Sequence, residues 1–306
     1  MTLLVASALV FAATEVLPGN AATSILGRNA TPEARAGLEE QLGLDRSPVS
    51  RYVDWLSGAI RLDFGQSLTA GLSAAPGLGE ERTSVTSIIA TPLVNTGLLI
   101  LATMLLLIPV SFFVGTASAL RQGSRTDTAT QVTMLALVSV PEFVVGVLFV
   151  ILFAFVWPVL PAVSFEVTPT TLVLPVATLV ALSVAYTARM IRSGVILVLQ
   201  EDYVAMARLK GMPEHIVIRR HVLPNAVGPT LQAFVIVVGY LAGGIVVVEY
   251  LFAFPGVGQG LVSAIQTRDL PVVQAYVLVL AAMYVVANLI ADLLSVTFNP
   301  RLRVRT

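Results

Sequence analysis

Five stretches of the chain, about 92–120, 131–157, 171–190, 228–251 and 272–298, are almost unbroken apolar runs. Each has the length a helix needs to cross a bilayer, since a hydrocarbon core of about 30 Å takes about 20 residues at 1.5 Å each. No soluble unit of this size has a core large enough to hide all five, so the spacing predicts a polytopic transmembrane helical fold. A sixth run, Met1 to Leu17, is shorter and is closed by Glu15, Pro18 and Gly19. It lacks the basic stretch and clear small-x-small site of a secretory leader, and it reads as a first span. Composition agrees: 56% of the 306 residues are apolar and 12% charged, against about 25% charged in soluble domains. The mean hydropathy is +0.87.

The same inventory removes most site chemistry. The chain has no cysteine, which excludes disulfides, thiolate catalysis and cysteine-containing metal sites. His215 and His221, the only histidines, stand six residues apart on different helix faces, which argues against a paired metal site. Formal net charge is zero, so no overall field attracts nucleic acid. The single lysine, Lys210, is followed by Gly211, whereas a phosphate-binding loop needs Lys followed by Ser or Thr. Any dependence on ATP must therefore come from a partner.

The chain reads as a first transmembrane helix over 1–17, an extramembrane segment with short helices over 18–86, and a five-helix transmembrane core over 87–306. In the 18–86 segment, Thr31-Pro32-Glu33 predicts a capped helix over 34–42, Val53–Ile60 a short amphipathic helix, and Gly71–Gly79 a flexible connection. Orientation follows the Lys and Arg of the short loops. With both termini in the cytoplasm, the inner parts hold Arg121, Arg125, Arg189, Arg192, Arg208, Lys210, Arg219, Arg220, Arg301, Arg303 and Arg305, and the short outer loops hold only Arg268. Six spans is the self-consistent solution.

The most informative stretch is the inner segment 200–225. Glu201 and Asp202 open a helical run in which Val204, Ala205, Ala207 and Leu209 can pack, Gly211 stops it, Pro213 begins a second helix and Pro224 precedes the next span. Spacing alone leaves two readings open, a compact knob for another protein or a charged loop that only satisfies topology.

Residues of that segment, Glu201, Tyr203, Ala207, Arg208, Lys210, Gly211, His221, Leu223, Pro224 and Asn225, stand in the order E-x-Y-x-x-x-A-R-x-K-G and H-x-L-P-N. This resembles the conserved cytoplasmic loop of binding-protein-dependent ABC importer permeases, above all the subfamily that imports dipeptides, oligopeptides and nickel. LPGN at Leu17–Asn20, QLGLD at Gln41–Asp45, LDFGQS at Leu62–Ser67, Pro141 with Phe143, VVVEYLFAFPGVG at Val246–Gly258, TRDLPVVQ at Thr267–Gln274, NLIADLL at Asn288–Leu294 and NPRLR at Asn299–Arg303 extend the likeness over nearly the whole chain. Asn20 departs from it, because members often carry Asp there.

The resemblance implies an all-α, type I ABC importer permease fold in a bacterial or archaeal cytoplasmic membrane. It implies a homologous second permease, two ABC ATPase subunits that bind ATP and magnesium, and an extracytoplasmic substrate-binding protein. Glu201, Tyr203, Ala207, Arg208, Lys210, Gly211 and His221 would then couple the chain to an ATPase, with the coupling helix inside 201–221. Glu249, Pro255, Gly256, Gly258, Arg268 and Asp269 would lie on the external side, toward the binding protein. The chain itself would catalyse nothing and hold no cofactor.

Four acids lie in or near spans: Glu15, Glu142, Glu249 and Asp292. Glu142 and Glu249 fall at span ends and read as interfacial, while Asp292 can pair with Asn288 one turn away. Gly256, Gly258 and Gly260 follow a span rather than a strand and read as an external turn beside a short helix, not a nucleotide loop. Gly239 and Gly243 form a G-x-x-x-G pair suited to close helix contact or to local flexibility. A secondary transporter would show inverted repeats and broken polar spans, and an intramembrane protease would need two carboxylates or Ser with His inside spans; neither pattern stands out. Peptide is the first cargo the resemblance suggests, with nickel, glutathione, opine or sugar as alternatives.

Overall fold

The computed structural model describes residues 1–16, 46–69 and 83–298. The expected helix over 34–42, the 71–79 connection and the motifs at 17–20, 41–45 and 299–303 lie outside them. In chain order the helices are α1 (Thr2–Val16), α2 (Pro48–Ile60), α3 (Val85–Leu120), α4 (Arg125–Val138), α5 (Glu142–Val150), α6 (Pro169–Leu199), α7 (Asp202–Leu209), α8 (Glu214–Val217), α9 (Leu223–Leu251), α10 (Val257–Thr267) and α11 (Leu270–Phe298). A π-helical turn over Ile151–Val156 extends α5, and another over Ile218–Val222 joins α8 to α9.

Three helices among the described residues are long and apolar enough to cross a membrane: α3, α6 and the Leu270–Ile290 part of α11. The run expected as one span over 131–157 is instead two helices, α4 and α5 with its π turn, bent by 101°. Taken together they make a fourth candidate, so the described residues give three or four spans by length and composition where six apolar runs are expected. The bend has a local cause. Pro141 lacks an N–H and disfavours helix at Val140 before it, so α4 ends at Ser139 and α5 restarts with Pro141 as its N-cap. α1 is apolar but shorter than a full span. α2 starts five residues before the expected Val53, because Ser47 accepts a hydrogen bond from Ser50 N–H at 3.3 Å and Pro48 fills the first turn.

The chain divides into two compact units, one of Met1–Thr96 with Pro255–Val285 and the other of Gly97–Phe254 with Val286–Thr306. In the first, α1 packs on α2 through Phe11, whose ring stands 5.4 Å from Tyr52 and 5.9 Å from Trp55. Glu15 is ion-paired with Arg51. The core of this unit gathers Ala59, Phe64, Val85, Ile89, Val257, Val272 and Tyr276. A polar strap crosses it: the buried Asp269 carboxylate accepts from Ser67 Oγ, from Thr69 Oγ1 at 2.8 Å, and from the Leu68 and Thr69 N–H groups at 3.2 Å. This interlocks the LDFGQS and TRDLPVVQ segments.

In the second unit α6 is the central helix, with more than half of its apolar length buried. Thr168 and Thr171 cap its start reciprocally. Leu174, Leu179, Val184 and Ala188 of α6 pack with Leu99 and Leu107 of α3 and with Val237, Leu241 and Val248 of α9. α3 and α6 approach so closely at Gly115 that a Cβ there would stand 2.6 Å from the Ala188 carbonyl oxygen and 2.8 Å from Ile191 Cβ. On α9 Gly244 meets Glu142 and Leu179 at ordinary van der Waals distance, while Gly243 of the expected G-x-x-x-G pair faces open space.

Two measurements check this packing. Gly115→Ala should lower the apparent Tm in detergent and cost about 1–3 kcal/mol, because backbone must move to admit one methyl; an unchanged Tm would contradict the close approach. Asp269→Asn puts an amide donor among four donors and should cost about 1–3 kcal/mol. Proteolysis after it should open the 66–69 segment first.

Candidate functional site

The segment 200–225 folds around one glycine. α6 ends at Gln200 and α7 starts after Glu201, whose carbonyl accepts from the Val204 and Ala205 N–H groups. The Glu201 side chain makes no capping hydrogen bond and stays exposed. α7 runs to Leu209, Lys210 closes it, and Gly211 turns the chain with φ +74°. That left-handed conformation is one glycine adopts freely and a β-branched residue does not. Pro213 then opens α8. Pro224 lies inside a continuous helical run, because α8, the π turn and α9 follow without a break.

α7 has two faces. Val204 and Ala207 are buried in a cluster with Ala119 of α3, Ile191, Val195 and Val198 of α6, and Val217, Val222 and Ala226. Tyr203, Met206 and Leu209 point outward, Leu209 being 81% exposed, and Ala205 is exposed with them. Expected packing by Ala205 and Leu209 is thus absent from the fold of this segment: the helix spends one narrow stripe on its own core and leaves an apolar ridge uncovered.

Across the glycine turn the Arg208 guanidinium donates to Glu214 through Nε at 3.1 Å and Nη2 at 2.6 Å. The pair bridges α7 and α8 across the turn. The hydrogen bond from Arg208 keeps the Glu214 carboxyl below the usual carboxylate range, and its contribution is complete above that range and lost as pH falls through the lowered value. Both side chains are about half exposed, so a pair of this kind contributes about 0.2–1 kcal/mol. Glu214 was not among the residues singled out by the sequence; its signal is an acid six residues from Arg208 across a Gly–Pro turn.

His221 is half-buried in the π turn, its carbonyl accepts from Asn225 Nδ2 at 2.7 Å, and its Nε2 is buried without a hydrogen-bond partner. Nearby, His215, Ile216, Arg219, Arg220 and Pro224 line an open cavity of about 480 Å³. Among the described residues no group of three His, Cys, Asp or Glu is placed to hold a metal ion.

The residues of the expected external side divide by accessibility. Glu249 is completely buried in its unit, and its carbonyl accepts from the Phe254 N–H at 2.8 Å. In the other unit, the Pro255 carbonyl accepts from Asn95 Nδ2 at 2.8 Å and Gly256 precedes α10, whose Val257 N–H donates to Thr96 Oγ1 at 2.8 Å. Gly256, Gly258 and Asp269 are buried, and Arg268, in left-handed conformation at the end of α10, is exposed. An open cavity of about 370 Å³ lies beside them, lined by Thr69, Gln259, Ser263, Thr267 and Tyr276 among others.

Comparison with known proteins gives this geometry a family. Residues 108–304 match the model of the binding-protein-dependent transport system inner membrane component, and residues 1–99 match the N-terminal model of the same membrane component. A putative peptide transport system permease protein of Brucella abortus is 35% identical, over 98% of this chain and 95% of the relative. The metal-staphylopine import system permease protein of Staphylococcus aureus is 32% identical over 98% and 94%. The glutathione transport system permease protein of Escherichia coli is 32% identical over 99% and 95%. The chain belongs to the family of binding-protein-dependent transport system inner membrane components, and is a multi-pass, all-α permease subunit of an ABC importer.

Proposed function

We propose that this chain forms half of the translocation path of an importer for peptides, crosses the membrane six times with both termini in the cytoplasm, and couples to an ATPase through the 201–221 segment. A second, homologous permease completes the path, two ATPase subunits bind ATP and magnesium, and a binding protein delivers cargo from outside. The observation that carries the reading is the two-faced α7. Val204 and Ala207 fix the helix to the core while Tyr203, Met206 and Leu209 form a protruding ridge that a cleft can grip. Glu201 and Lys210, both exposed, flank the ridge and suit ion pairs with a partner. Gly211 and the Arg208–Glu214 pair set the angle at which the ridge is presented. Closure of the ATPases can then move the spans as bodies, in the manner of alternating access.

Arg268 is the exposed member of the external set and the one we assign to contact with the binding protein. Peptide is the cargo favoured by the Brucella relatives, whose names say peptide transport. The relatives named for metal-staphylopine and glutathione make the ligand held by the binding protein the deciding observation. Mass spectrometry of that ligand should identify a short peptide; a metal chelate or glutathione would replace the cargo assignment and leave the coupling reading in place.

Gly211→Val tests the coupling. A β-branched residue at φ +74° costs about 1–3 kcal/mol of local strain, and the open space around Gly211 leaves no other clash. The complex should assemble, while uptake per ATP hydrolysed falls roughly threefold to thirtyfold. Gly211→Asn, which tolerates left-handed backbone, should keep most coupling. Normal uptake by the Val variant would overturn the reading.

A further inference from the structure

Arg192 counts in the sequence only as one of the basic residues of the inner side, and Asp127 is not singled out at all. The structure joins them. Asp127 lies in the first turn of α4 and is 4% exposed. Its Oδ1 accepts from Ser118 Oγ at 2.6 Å and from Arg192 Nε at 2.8 Å. Its Oδ2 accepts from the Gly123 N–H at 3.0 Å and from Arg192 Nη2 at 2.7 Å. Gln131 Nε2 donates to Ser118 Oγ at 3.2 Å, and Ser124 Oγ caps α4 by accepting from the Asp127 N–H at 3.1 Å. The turn that aims the Gly123 N–H at the carboxylate has φ +78°.

Topology asks only for a cation near Arg192, and the helix dipole asks only for an exposed acid near the start of α4. Neither requires a buried carboxylate whose two oxygens each accept two hydrogen bonds, one from an Arg fork. Burying such a charge is costly unless geometry and satisfaction are complete. The position of the pair gives it a use. Arg192 follows Ile191, and Ile191, Val195 and Val198 share one apolar cluster with Ala119 at the end of α3 and with Val204 and Ala207 of α7. α4 contributes no side chain to that cluster. The carboxylate–guanidinium fork ties its first turn to α6, nine residues before the Glu201 that opens α7, and adds to the packing of the rest of α4 on α6, where Met134 meets the main core.

We propose that Asp127 and Arg192 are positioning residues that lock the α3–α4 corner to α6, so that a displacement of the 201–221 segment reaches α4 as well as α6. The proposal rests on the coupling reading given above. The pair acts through the helices it joins and touches neither cargo nor nucleotide.

The test uses the assembled complex in liposomes with its binding protein, and compares Asp127→Asn, Arg192→Lys and Gly211→Val for complex recovered, ATP hydrolysed and cargo taken up. Asp127→Asn removes the charge; Arg192→Lys keeps the charge and loses the two-pronged fork. The expected result is Arg192→Lys recovered at the wild-type level, with ATP hydrolysis retained and uptake per ATP lowered about tenfold. A merely structural role would lower recovery and leave the ratio of surviving complexes unchanged. Wild-type uptake per ATP in both pair variants, with Gly211→Val uncoupled, would overturn the lock and keep the coupling reading. Loss of both pair variants from the membrane would also overturn it, in favour of a purely architectural pair. Normal coupling in Gly211→Val would instead remove the reading on which the proposal stands.

Discussion

A peptide N–H or C=O in hydrocarbon has no water to bond, so each must be satisfied within the protein, and the apolar runs of this chain have little choice but helix. The constraint also shapes the departures from helix. Where Pro141 interrupts the third apolar run, Ser139 Oγ donates back to the Leu135 carbonyl at 2.9 Å and the Val144 N–H bonds the Pro141 carbonyl at 3.1 Å. Where α5 ends, a π turn keeps the Trp157 N–H on the Leu152 carbonyl at 2.9 Å. Three buried hydroxyls follow the same rule, Thr103, Thr178 and Thr187 each donating to the carbonyl four residues earlier in its own helix, whereas the Ser111, Thr116 and Ser183 hydroxyls are buried without a partner.

Once the helices are fixed, function depends on which of them move together. The Gly115 close approach, the cluster around Ile191 and Val195, and the Asp127–Arg192 fork join the ends of α3 and α6, the first turn of α4, and α7 through three different kinds of contact. Backbone proximity excludes sliding, apolar packing supplies cohesion, and the fork fixes orientation. A helix anchored this way passes on a push. On the proposed coupling, the apolar ridge of α7 is the surface that receives such a push, and it is left uncovered by the chain's own core.

Much of this was legible in the sequence where chemistry is local. Apolar length located α3, α6 and α11, Gly211 marked a positive-φ helix stop, and Pro213 marked the next start. What escaped depends on residues far apart in the chain. Arg192 and Asp127 are separated by 65 positions, and Asp269 and Ser67 by 202, so no periodicity announces either pairing. The 101° bend escaped because Val140–Pro141 lies within a run apolar enough to read as one span. The G-x-x-x-G spacing left close contact and local flexibility equally open, and Gly243 faces open space while Gly244 beside it meets Glu142 and Leu179. LDFGQS and TRDLPVVQ stand far apart in the sequence, and the structure shows Asp269 of the second holding Ser67 of the first.

The proposed coupling requires the uncovered ridge of α7 to face the cytoplasm and to be gripped by an ATPase subunit. Because the chain has no cysteine, Met206→Cys supplies a single thiol on that ridge. A membrane-impermeant maleimide should label it in inside-out vesicles carrying the permease pair alone, and assembly with the ATPase subunits should block the reaction. Labelling in right-side-out vesicles, or equal labelling with and without the ATPases, would contradict the account.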